Sequence, residues 1–188
     1  DKKQSQQSRL FMALVDLKMN FILLLIDNLY SSPKPEPLSV GKDFHNYLFF
    51  KNRMEIHRHN SNYIPRYRAF WDKLMGVFIL INSEKDYETY NSSKSRKKSF
   101  KNLATGISFL DKEFTQQILE HIQKFDDYFR TGELHRFGSL RKYSFQENPF
   151  ETKEYIFLRS SWNHVIHAVN YIDDIIENIE TNIDEQTI

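Results

Sequence analysis

The feature that most constrains this chain is a seam near its C-terminus. Tyr155, Leu158, Trp162, Val165, Val169, Ile172, Ile176, Ile179 and Ile183 follow one another at steps of three and four without a break. That period places them on one side of a helix and is incompatible with a strand, whose faces alternate every second residue. A single helix from about 155 to 183 needs partners to cover its seam. The same period recurs upstream. Leu10, Leu14, Leu17, Phe21 and Leu24 predict a first helix that ends near Tyr30, where three prolines within Pro33–Pro37 forbid continuation.

Further helices are expected over about 42–59, 65–82 and 111–130, the second of these starting at Pro65, a residue suited to a first helical turn. The charged stretch 84–101 is expected to form a short exposed helix or a loop. Residues 131–150, with Gly132, Gly138 and Pro149, read as the longest loop. No strand-like alternation and no internal repeat is present. The expected architecture is an all-α, up-and-down bundle of about five or six helices, one domain over 1–188.

Composition narrows the chemistry. There are no cysteines, so disulfides, thiolate nucleophiles and Cys-ligated metals are excluded. Five glycines and five prolines in 188 residues argue against a turn-rich sandwich or barrel. The longest apolar run, Phe21–Ile26, is six residues, far short of a bilayer span, so no membrane segment and a cytoplasmic location are expected. The net charge of +1 conceals a polarity: residues 1–100 hold 17 Lys/Arg against 10 Asp/Glu, and 101–188 hold 9 against 15. A basic half of this kind can face an anion, or can simply be solvated.

Neither a glycine-rich phosphate loop nor GxSxG nor HExxH occurs, so parallel-sheet nucleotide binding, the hydrolase elbow and the zinc-protease helix are out. No Glu-x-x-His pair is present either, and no metal and no cofactor are expected. What remains is a polar strip beside the C-terminal seam. At 100° per residue, Arg159, Ser160, Asn163, His164 and His167 cluster over two turns of one helix. Histidine suits acid–base work near neutrality and arginine suits a phosphate or a developing oxyanion, the pairing that metal-free cleavage of an RNA phosphodiester needs. The alternative is that these side chains cap or bridge neighbouring helices.

The segment Arg159-Ser160-Ser161-Trp162-Asn163-His164 resembles the R-x(4–6)-H signature of the HEPN superfamily, and 155–167 is similar to the motif helix of small bacterial members. His135–Tyr143 also resembles that group. Spacings within the same range occur at Arg53–His59, which sits in a run of basic residues, and at Arg130–His135, which spans Gly132 near a predicted helix end; the helix context favours Arg159–His164. Ser160 stands where the family usually carries Asn, Asp or His. The resemblance implies a four-to-five-helix bundle, often dimeric, with two motifs meeting across the dimer cleft. It implies a metal-independent endoribonuclease in toxin–antitoxin, phage-defence or RNA-processing settings, with Arg159 and His164 catalytic and Asn163, His167 and Ser160 supporting. It also allows a catalytically silent module that binds RNA or a protein such as an antitoxin.

Two basic clusters are candidate RNA contacts. Arg53, Arg58, Arg66 and Arg68, with Lys51, are interleaved with Tyr63 and Tyr67, which could stack a base; Lys97 and Lys98 belong to the run 94–101. Either cluster could equally be a solvated face.

Overall fold

The computed structural model describes residues 2–30, 42–130 and 153–185, apart from the side chains of 2–5, 42–50, Arg53, Ile56, Arg130, Glu154 and 179–185. The fold class is all-α. Among the described residues there are six α-helices and no strand: α1 (Lys2–Tyr30), α2 (Lys42–Asn82), α3 (Glu84–Ser92), α4 (Arg96–Leu103), α5 (Lys112–Phe125) and α6 (Lys153–Glu185). A 3₁₀ turn, Ala104–Gly106, follows α4, and a π-helical turn, Asp126–Arg130, extends α5. The residues fall into two compact units, 1–146 and 147–188.

The first unit is organised around the C-terminal half of α2. Every residue from Leu74 to Leu80 is buried, so this helix is enclosed on all sides, as a helix apolar all round must be. α1, α3 and α4 pack on it, together with the π turn. Aromatic rings fill the centre: Tyr67 stacks on Phe125 at 4.2 Å between centroids, and Trp71 meets Tyr67 edge-on at 5.9 Å. Gly76 allows α3 to come close, since a Cβ there would stand 3.3 Å from the rings of Tyr87 and Tyr90. The Tyr90 hydroxyl donates to the Asp72 carbonyl at 2.6 Å, and burial pushes its pKa well up.

The expected break between residues 59 and 65 does not occur. α2 runs through Pro65 as one helix of 41 residues. Proline removes one backbone donor and crowds the preceding turn, a loss of about 3 kcal/mol in a helix interior. Here Pro65 is exposed while Tyr63, Ile64, Tyr67 and Phe70 around it are buried, and that burial carries the helix on past the weak point. The stretch 84–101 resolves into α3 and α4. Ser83 caps α3 by accepting from the Asp86 amide at 3.2 Å, and Asp111 caps α5 by accepting from Phe114 at 2.7 Å. The predicted loop at 131–150, with the HEPN-like His135–Tyr143, lies outside the described residues.

The second unit contains α6. Tyr155, Leu158, Ser161, Val165, Ala168, Ile172 and Ile175 are buried, a three-and-four spacing that keeps the predicted period. The predicted seam is shifted by part of a turn: Ser161 and Ala168 are buried where Trp162 and Val169 are half-buried. The same offset recurs at Ile175, buried where Ile176 is half-buried, so the buried face is displaced by one residue along the helix.

Candidate functional site

The predicted polar strip lies on α6, and its members differ in setting. Arg159 is half-buried, its guanidinium 5.1 Å from the centroid of the Tyr155 ring one turn earlier. Burial pushes the Tyr155 hydroxyl pKa up, and the Arg159 charge opposes that shift. Asn163, His164 and His167 are exposed. Ser160 is exposed with its hydroxyl donating to the Phe157 carbonyl at 2.9 Å, and buried Ser161 donates likewise to Leu158 at 2.6 Å. Both hydroxyls are thus directed to their own helix backbone. His164 follows Arg159 by five positions, which sets them roughly 140° apart around the helix. Asn163 stands near Arg159, and His167 near His164. One copy of α6 therefore presents the guanidinium and the His164 imidazole on different sides, with Asn163 and His167 between them around the helix.

The first basic cluster is divided by the fold. Arg66 is ion-paired with buried Asp27, and Arg68 is ion-paired with Asp72 and Asp126, 12% exposed in its side chain. Tyr63 and Tyr67 are fully buried, so the expectation that they stack a base is corrected: their spacing from Phe70, Trp71 and Leu74 puts them in the core. Lys51 and Arg58 are exposed. The Arg53 side chain lies outside the described residues.

A second histidine arrangement, at the α1–α2 seam, was not anticipated. Asp27 is 1% exposed and holds His59 Nδ1 at 3.0 Å as well as the Arg66 guanidinium. His59 Nε2 lies 3.3 Å from the Arg58 guanidinium. Arginine can only donate, so Nε2 accepts and the Nδ1 proton goes to the Asp27 carboxylate. The Tyr30 ring stacks on the imidazole at 5.4 Å. An imidazole oriented by a buried carboxylate is one half of a general-base arrangement. Here its other nitrogen faces the Arg58 guanidinium and becomes available to a substrate proton only if that side chain moves away. The Asp27–His59 pair also serves as a buried ionic lock between two helices. The one sequence signal for it was Asp27 itself, a carboxylate closing the most apolar stretch of the chain.

Lys97 and Lys98 stand at the rim of a groove between α4 and α5, about 740 Å³ in volume. Lys101 and Lys112 add two more cations, and Ile107, Leu110 and Leu119 form an aliphatic floor. Lys97 also donates to Gln123 across the groove. Among the described residues no group of three or more His, Asp or Glu is placed to hold a metal ion, and no helix is long and apolar enough to cross a membrane. Compared with protein-family models, with curated proteins and with solved structures, the chain has no match.

Proposed function

We propose that this chain is a metal-independent endoribonuclease of the HEPN type, working as a homodimer in the cytoplasm. The observation that carries the reading is the surface of α6: two solvent-facing imidazoles, His164 and His167, one turn apart on the helix that carries the Tyr155-held Arg159. His164 takes the proton of an RNA 2′-hydroxyl or gives one to the leaving 5′-oxygen. Arg159 neutralises the phosphate as charge develops. Asn163 and His167 orient the substrate or the His164 ring, and Ser160 has a structural part through its backbone bond. Because Arg159 and His164 face different ways on one helix, a composite site takes its arginine from one copy and its histidine from another. Lys98 and Lys101 at the basic groove, with Arg58 and Lys51, supply phosphate contacts.

Incubating purified protein with a labelled RNA pool in EDTA tests this. The expected products carry 2′,3′-cyclic phosphate and 5′-hydroxyl ends. The Arg159→Ala/His164→Ala variant is expected to lose activity by about 100-fold or more. Cleavage that survives in that variant and disappears in His59→Ala assigns the chemistry to the Asp27–His59 pair instead. A folded wild type inert across pH leaves the second reading, a non-catalytic helical module that binds RNA or a protein partner; the basic groove with its aliphatic floor favours it.

A further inference from the structure

Helix α1 is apolar on two opposite sides. One side, carrying Leu17 and Leu24, is buried in the packing with α2. On the other, every position between 11 and 30 within a sector of about 120° is a large apolar residue. Phe11, Val15, Met19, Ile22, Ile26 and Leu29 follow at steps of four, four, three, four and three; Met12, Leu23 and Tyr30 border them. All nine are exposed, Phe11 by 64%, Leu29 by 63% and Met19 by 54%. The ridge is about 28 Å long at 1.5 Å per residue. Those exposed fractions amount to on the order of 800 Å² of apolar side chain, against about 300–600 Å² for the largest patch on a typical monomer.

We propose that this ridge is the contact face between two copies of the chain. About 800 Å² per partner is the area that a standard stable interface buries. An isologous contact requires a surface to be complementary to itself, and a charged patch would repel its own copy. This sector contains no charged residue, which meets that condition. A lipid surface fits less well. A helix lying on a membrane pairs its apolar face with a cation-rich polar face, whereas the opposite face of α1 is occupied by the protein core. The assignment is independent of RNA cleavage, since an inert protein could pair through α1 equally well.

Sedimentation equilibrium of the full chain at about 10 μM tests it, a concentration at which an interface of this size is expected to be populated. The wild type is expected as a dimer of the 22.7 kDa chain. Met19→Glu/Ile26→Glu is expected to raise the dissociation constant by about 100-fold or more and leave helicity by circular dichroism unchanged, because both positions are already exposed. The chain has no cysteine of its own, so single cysteines report cleanly. At least one of Val15→Cys, Met19→Cys and Ile22→Cys should form a disulfide-linked dimer on oxidation, and Lys85→Cys on α3 should not. A monomeric wild type, a dimer that persists in the double variant, or cross-linking as fast at position 85 overturns the proposal.

Discussion

Asp27 is a carboxylate set into the most apolar part of α1, and the fold buries it completely between His59 and Arg66. A buried charge survives only when paired, and removing one member of such a set leaves the others uncompensated. Asp27→Ala is therefore expected to destabilise the protein by about 3 kcal/mol, read from urea unfolding. A double-mutant cycle with Arg66→Ala should give a clear coupling energy, because the two side chains share one network. Arg68→Ala is not equivalent, since its carboxylates, Asp72 and Asp126, are partly exposed. At this scale the chain itself announces Asp27 only as an interruption. Its partners lie 32 and 39 residues away, on another helix, and no local pattern connects them.

The helices show where local rules hold and where packing overrides them. Asp111 and Ser83 are caps of the ordinary kind, each accepting from an amide three residues on. Asp111→Ala is expected to lower stability by about 1 kcal/mol, measured as a shift in urea midpoint at unchanged slope. Pro65 shows the opposite case. A proline inside a helical period marks a boundary by local chemistry, yet α2 continues, because buried rings on both sides of it outweigh one lost backbone bond. α6 lies between these cases: its period was legible, but the buried face runs through Ser161 and Ala168, two small residues that a count of large apolar side chains passes over.

For the whole molecule, the question is which surfaces meet. If Arg159 of one copy and His164 of another share a site, then Arg159→Ala and His164→Ala proteins, each inactive alone, should recover cleavage when mixed and re-equilibrated. With statistical exchange, half the dimers are mixed and each carries one intact site of two, so recovery approaches about a quarter of the wild-type rate. No recovery from a mixture shown to contain heterodimers would place both residues on the same copy.

The all-helical class, the helical periods of α1 and α6 and the placement of Arg159, Asn163, His164 and His167 on a single helix follow from the chain alone, because the spacing of apolar residues acts within a few turns. The removal of Tyr63 and Tyr67 from any ligand surface, the pairing of Arg66 and Arg68 with acids, the Asp27–His59 arrangement and the exposure of a second apolar face on α1 were decided only in three dimensions. A period tells which residues share a face. Burial and charge pairing depend on what packs against that face, and that partner comes from distant sequence.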